Sequence, residues 1–429
     1  MATSRYILPG CGIRTREGGA VSFADWAGFF RIYGGQQNPP PALPKLDFGQ
    51  FHRTLPLIDV LRKFGKADTE WEGIVSTELG DKWWDRFGAV RDSDRFDVPA
   101  LHMTTWYDPS IDDGLNLFKF FQGNSVSPRA RDNQFLIVGP RSHCNFGASE
   151  HTLIGNRDLG DARFDFRDLY VRWFDHWLKG IENGVTTIPK AQFYVMGANR
   201  WRREQAWPPP TAVSVRYYLH SDGHANSRFG SGALSAVAPG GEPSDRYTYD
   251  PRTPVPSIGH TFGAALSGFA AGAFDQSDVE MRNDVLVYST PPLEKGLEIA
   301  GTSKVILYVS SSARDTDFTA KLVDVYPDGT AYNLQDTILR ARYREGYGKK
   351  VWMEPGSVYR LELNLRAVSN YFAPGHQVRL EVSSSNFPAF DRNLNTGGNN
   401  YDEARWIVSA NAIHHRTAQA SQLILSVVR

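Results

Sequence analysis

The sequence predicts an α/β layer followed by an all-β sandwich, and three observations carry that reading. Strand-like and helix-like apolar runs alternate between residues 97 and 188. Short β-rich runs separated by Gly, Pro, Asn and Asp fill residues 189–429, as a sandwich or jelly roll requires. Residues 1–96 follow neither pattern. Rich in Trp, Pro and Gly with only short helical stretches, they read as a cap-like helical and irregular segment.

Within the first segment, Val21 to Phe30 has apolar spacing that suits a helix, and the run Gln36-Gln37-Asn38-Pro39-Pro40-Pro41 ends it. Leu55 to Leu61 and the pair Trp83-Trp84 supply packing surface between polar stretches. In the second segment, Val98 to Met103 reads as a short buried strand and Asp112 to Phe121 as a helix, with Leu115, Phe118 and Phe121 three apart. Gln134 to Val138 is the next strand. Phe164 to Gly180 is a strongly amphipathic helix, with Lys179 near its end and Gly180 at its stop. These make two βα units of a parallel sheet. In the third segment, strands are expected at Val213–Tyr218, Asp284–Tyr288, Ser303–Ser310, Phe318–Tyr326, Val358–Leu365 and Gln377–Ser383. No repeat of 20 to 50 residues is present, which argues against a propeller or solenoid. The Gly- and Ala-rich stretch Gly259 to Phe274 lacks bulk for a strand and reads as a mobile surface loop.

Composition narrows the function. Lys plus Arg and Asp plus Glu both number 47, so no basic surplus marks a nucleic-acid footprint. The two cysteines, Cys11 and Cys144, are too few for a disulfide framework and lack metal-ligand spacing. No uninterrupted apolar run reaches the ~18 residues of a membrane span, and Met1 to Gly19 has no signal-peptide core. The expectation is a cytoplasmic protein with no cofactor, no metal, no nucleic-acid partner and no membrane partner. Homo-oligomerisation stays open.

Two residues stand where an α/β enzyme keeps its chemistry. Ligand sites in open parallel sheets lie beyond the carboxyl ends of the strands. Trp106-Tyr107-Asp108 closes one apolar run, and Gly139-Pro140-Arg141-Ser142-His143 closes the next. An Asp and a His on adjacent loops can form the acid and base of a serine-hydrolase triad. No G-x-S-x-G occurs in the sequence. Hydrolases with that elbow run in chain order Ser, then Asp or Glu, then His, so the nucleophile belongs upstream of Asp108. Asp112 and Asp113 are rival carboxylates but fit the first turn of a helix. Cys144 and Ser142 adjoin His143 in extended chain, where side chains diverge, and Ser149 lacks a strand-to-helix elbow. His102, His151, His176, His414 and His415 have no partners at metal-ligand spacing and read as structural or solvated.

Several ordered blocks resemble a known family: Val98 through Trp106-Tyr107-Asp108; Leu136 through Ser142-His143; Phe193 through Arg202; Trp207-Pro208-Pro209-Pro210; Tyr249-Asp250-Pro251 with Pro254-Val255-Pro256; Asp275-Gln276; Asp315 through Val325 with Pro327-Asp328-Gly329; and Ser383 through Pro388 with Asp391-Arg392-Asn393. Together they make the chain similar to the cocaine esterase / X-Pro dipeptidyl-peptidase family (CocE/NonD type) of serine hydrolases, which includes α-amino acid ester hydrolases and glutaryl acylases. The resemblance runs from about Leu55 to the C-terminus. It implies a partial α/β-hydrolase core with a helical cap, then a C-terminal jelly-roll β-sandwich. It places the acid on Asp108 and the base on His143. Thr104-Thr105 stand where the family has Gly-Gly, and Arg141 where it has Trp in Gly-Pro-Trp-x-His. The family's nucleophile elbow and oxyanion-hole Tyr would lie before Met1.

The expected function is therefore hydrolysis of a small acyl ester, amide or short peptide, X-Pro dipeptides included, through an acyl-enzyme. With the nucleophile Ser and oxyanion donors absent from the sequence, negligible hydrolysis by this chain alone is expected. The alternative is a non-catalytic binding protein whose jelly roll takes a partner, with Asp108 and His143 as relics.

Overall fold

The computed structural model describes residues 6–7, 15–34, 45–66, 69–87, 90–143, 145–260 and 267–429. A small aromatic-rich cap precedes the sheet. Its helices α1 (Phe23–Tyr33), α2 (Phe48–Arg53) and α3 (Trp71–Ser76) are too short to be stable alone and are held by a shared apolar cluster. Phe23 lies at its centre, 6.3 Å from Phe51, 6.1 Å from Trp71 and 6.2 Å from Phe387 of the sandwich, ring centre to ring centre. The Pro-rich stretch expected to end α1 lies outside the described residues.

The α/β layer runs β1 (Ala100–Tyr107), α4 (Ile111–Asn124), β2 (Gln134–Ser142) and α5 (Phe166–Lys179). β1 and β2 are parallel and adjacent, as the two βα units require. The sheet is larger than the two expected strands. β3 (Ala191–Val195) pairs parallel with β2, and β4 (Arg200–Glu204) pairs antiparallel with β3, giving the order β4-β3-β2-β1. The run read as the opening of the sandwich thus completes the α/β sheet. Asp165 caps α5 by accepting the Asp168 N–H at 2.9 Å, and Gly180 ends it in the left-handed conformation at φ 72°. Leu169 and Trp173 of α5 cover Phe135 and Ile137 of β2. Tyr170, Val171, Phe174 and Leu178 fill the neighbouring arc of the helix and are exposed. On its outer side, β1 has no strand partner among the described residues.

The sandwich comprises β5 (Ala212–His220), β6 (Asp245–Tyr249), β7 (Leu286–Ser289), β8 (Leu297–Gly301), β9 (Lys304–Ser311), β10 (Asp317–Val325), β11 (Ala331–Arg340), β12 (Tyr359–Asn364), β13 (Val368–Phe372), β14 (Gln377–Ser383), β15 (Ser409–Ile413) and β16 (Gln422–Val428). Its main path is β6-β15-β9-β16-β5, then the short strand Ala233–Ser235, then β7-β14-β10-β11. All six expected strands are present, with ends shifted by one or two residues. One apolar cluster runs from Trp106, Tyr107, Phe193 and Tyr194 of the α/β layer into Leu286, Leu322, Leu380 and Leu425 of the sandwich, so the two layers share a core.

The expectation of a mobile surface loop at Gly259 to Phe274 is not met at its two ends. His260, Ser267 and Ala273 are buried, and Ala273 bridges to Gly155 while its carbonyl accepts the Asn156 N–H at 2.8 Å. Small residues are needed there for close backbone approach: a Cβ on Gly155, at φ +61°, would sit 2.1 Å from the Ala273 oxygen. Residues 261–266 lie outside the described part. No helix among the described residues is long and apolar enough to cross a membrane.

Candidate active site

Strand register brings the acid and base together. β1 pairs with β2 in parallel, an irregularity between Thr105 and Tyr107 shifts the ladder, and Tyr107 then lies opposite Ser142. The next residue on each strand is Asp108 on one and His143 on the other. Across 35 positions of sequence, His143 Nδ1 donates to Asp108 Oδ2 at 2.8 Å. The carboxylate's other oxygen accepts from the Ser110 N–H and the Ser110 hydroxyl, both at 2.8 Å. Burial pushes the Asp108 carboxyl up, but the hydrogen bonds and charge of His143 and the two bonds from Ser110 outweigh it, and the group is held below the ordinary Asp value. Asp108 is therefore an anion at neutral pH. It fixes the imidazole with its proton on Nδ1 and leaves Nε2 as the basic nitrogen.

The sandwich holds the strand end that carries Asp108. Gln335 of β11 donates to the Trp106 carbonyl at 2.7 Å, and the Tyr107 hydroxyl donates to the Asn333 carbonyl at 2.8 Å. From within the α/β layer, the Trp106 indole donates to the Tyr194 carbonyl at 2.7 Å. Asp112 begins α4 as a first-turn residue and also accepts the Ala367 N–H at 2.9 Å, which ties the helix start to the sandwich. Asp113 stands beside it in the same turn.

The remaining sequence candidates fall elsewhere. Ser149 donates to the His151 carbonyl at 2.8 Å, and His151 is exposed. His102 contacts Gln134 Oε1 at 2.9 Å, and His176 contacts the Ile181 carbonyl at 3.1 Å. His414 sits between Ser244 and Ser310, while His415 is fully buried against Asp245 at 2.7 Å. Cys144 lies outside the described residues. Arg141, the next-to-last residue of β2, is half-buried, and its Nε has no hydrogen-bond partner. Among the described residues no group of three or more His, Cys, Asp or Glu could hold a metal ion.

Ser110 escaped the sequence reading. Its one signal was the Asp-x-Ser spacing of an Asx turn, and that spacing is common. It is a partner of the acid, with its N–H and its hydroxyl both donating to Asp108 Oδ1. His260 and Asp25, buried 4.0 Å apart, also escaped it, because their partners come from distant segments.

Comparison with known proteins follows the same outline. Residues 183–424 match the model of the X-Pro dipeptidyl-peptidase C-terminal non-catalytic domain. The cocaine esterase of Rhodococcus sp. (strain MB1 Bresler) is 37% identical over 362 residues, covering 83% of this chain and 61% of the relative. Two crystal structures share the fold. An aminopeptidase from a marine sediment Thaumarchaeota archaeon superposes with TM-score 0.82 at 22% identity, over 99% of this chain and 72% of that one. An α-amino acid ester hydrolase does so with TM-score 0.76 at 23% identity, over 96% of this chain and 69% of that one. The chain spans 61% of the length of the cocaine esterase it matches.

Proposed function

The chain belongs to the CocE/NonD / X-Pro dipeptidyl-peptidase family of serine hydrolases, and on that premise we propose that Asp108 and His143 are its acid and base in acyl transfer. One observation carries the proposal: the 2.8 Å bond between His143 Nδ1 and Asp108 Oδ2 at the carboxyl ends of adjacent parallel strands. His143 takes the proton of an attacking serine at Nε2 and returns it to the leaving group. Asp108 stabilises the imidazolium in between. The same ring then activates water to release the acyl group.

The serine and the oxyanion donors come from a G-x-S-x-G segment that these 429 residues do not contain. The outer edge of β1, which has no strand partner among the described residues, and the exposed apolar arc of α5 provide a sheet edge and a helix flank on which such a segment can add. The substrates are small acyl esters or amides, X-Pro dipeptidyl bonds among them. The 429-residue chain alone hydrolyses none of them.

A fusion tests this reading. An upstream segment carrying a G-x-S-x-G elbow, taken from a relative in this family, is joined ahead of the chain and assayed on p-nitrophenyl acetate. Hydrolysis that falls by at least ~10³ in His143→Ala is expected. A folded fusion whose hydrolysis is indifferent to His143→Ala overturns the assignment.

A further inference from the structure

Two breaks in strand register are bonded to one another across the layers. In the α/β sheet, Thr105 of β1 stands opposite Gly139 of β2 but Tyr107 stands opposite Ser142, so β2 carries one extra residue beside Trp106. In the sandwich, Leu322 of β10 stands opposite Gln335 of β11 and Val323 opposite Asn333, so Leu334 is the extra residue there. The bonds between the layers join these two places: the Gln335 carboxamide donates to the Trp106 carbonyl at 2.7 Å, and the Tyr107 hydroxyl to the Asn333 carbonyl at 2.8 Å. Bulges re-aim side chains and recur beside active sites. The same Gln335 nitrogen reaches the Ala367 carbonyl at 3.3 Å, while the Ala367 N–H donates to Asp112 at 2.9 Å. Ala367 thus meets the Trp106–Asp112 segment at both ends, through Gln335 at its start and directly at its close. Inside that segment, the Ile111 N–H donates to the Asp108 carbonyl at 3.1 Å, and Ser110 binds the Asp108 carboxylate. Trp106, Gln335 and Ala367 are all buried, so loss of Gln335 takes a donor from a carbonyl that water does not reach.

We propose that Gln335 is a positioning residue for the acid: by holding the Trp106 carbonyl against the Ala367 carbonyl, it fixes the segment from Trp106 to Asp112 and keeps the Asp108 carboxylate in line with His143 Nδ1. This rests on the reading of Asp108 and His143 as acid and base. Gln335 acts through the backbone two residues before Asp108, not on the transferred proton. The position calls for a donor to two carbonyls, which the carboxamide supplies and neither an apolar side chain nor a carboxylate can. Gln335 lies in the segment that matches the X-Pro dipeptidyl-peptidase C-terminal non-catalytic domain. The sandwich therefore sets the geometry of the acid although it supplies neither member of the pair.

The His143 Nδ1 proton, held between the ring and Asp108, reports this alignment without turnover. In the histidine-labelled 429-residue chain it should give a low-field proton resonance that Asp108→Ala removes. Gln335→Met, close in shape but without a donor, should speed exchange of that proton with water by on the order of tenfold. Asp112→Ala, at a half-buried position, releases the other end of the segment and should act in the same direction. Arg157→Met loosens the junction at a different place and should leave the exchange as it is. An unmoved rate in whichever of Gln335→Met and Asp112→Ala folds overturns the proposal and leaves the Asp108–His143 pair standing. An equal acceleration in Arg157→Met overturns it too, because any loosened junction would then do the same. A parent chain without the resonance overturns the acid–base reading and the proposal with it. In the hydrolytic fusion, Gln335→Met should lower kcat by roughly ten- to a hundredfold with KM within about twofold, and a change confined to KM contradicts the proposal.

Discussion

Asp108 keeps its charge in a buried position because three hydrogen bonds replace the water it lost. That charge decides the tautomer of His143. Asp108→Asn should keep the fold and lower kcat of the assembled hydrolase by roughly 10⁴, the loss expected when the base is held in the wrong tautomer. Ser110→Ala removes one of the three bonds and should cost far less, on the order of tenfold. Asp25 runs the other way. Its folded-state value, about 6, lies above its ordinary 3.8, so its burial costs no stability below pH 4 and progressively more as pH rises through 6. Asp25→Asn should therefore raise stability at pH 7 by up to ~3 kcal/mol, read from urea denaturation at pH 4 and pH 7. His52, pushed down to about 4 by burial, is neutral when folded; its share of stability is present above pH 6.5 and lost as pH falls toward 4. The pairing of Asp108 with His143 was anticipated from their place after successive apolar runs together with the family resemblance, and the structure brings the two side chains to 2.8 Å. Asp25 and His260 were not, since 235 positions separate them and neither sits in a motif.

Elements with a single periodicity were read well. The helix at α5 and the strands β10 and β14 follow their patterns within two residues. β11 and β16 were passed over for different reasons. β11 carries Asn333, Gln335, Asp336 and Thr337, three of which serve polar partners in the α/β layer and the segment from His260 to Phe274. β16 alternates clearly but is the last strand of the chain, with no turn beyond it to mark its end. The exposed arc of α5 shows where an amphipathic pattern misleads: Leu169 and Trp173 face the sheet, but Tyr170, Val171, Phe174 and Leu178 widen the apolar face beyond what the sheet covers. An exposed apolar arc of that kind should drive self-association of the isolated chain. The double variant Phe174→Glu with Leu178→Glu should shift sedimentation toward monomer at an unchanged melting temperature.

At the scale of the whole molecule, the shared core predicts that the α/β layer and the sandwich unfold together. Arg157 and Asp324 reinforce the junction, paired at 2.8 Å, both nearly inaccessible, with His376 on the other carboxylate oxygen at 2.8 Å. Arg157→Met leaves Asp324 buried without its main partner and should cost ~3–5 kcal/mol, measured by chemical denaturation. Calorimetry should show one transition for the parent, where independent layers would give two. The sequence pointed to the order of the layers but not to this union, because strands β3 and β4 complete one layer from within what looked like the start of the next. The proposal with the widest reach is that Asp108 and His143 form an acid–base pair whose serine lies outside these 429 residues. The most direct test is intact-mass spectrometry of the purified 429-residue chain after exposure to a fluorophosphonate probe, with His143→Ala as the control. No adduct is expected in either; a single adduct that disappears in His143→Ala would show that a serine within the chain is activated and would overturn the proposal.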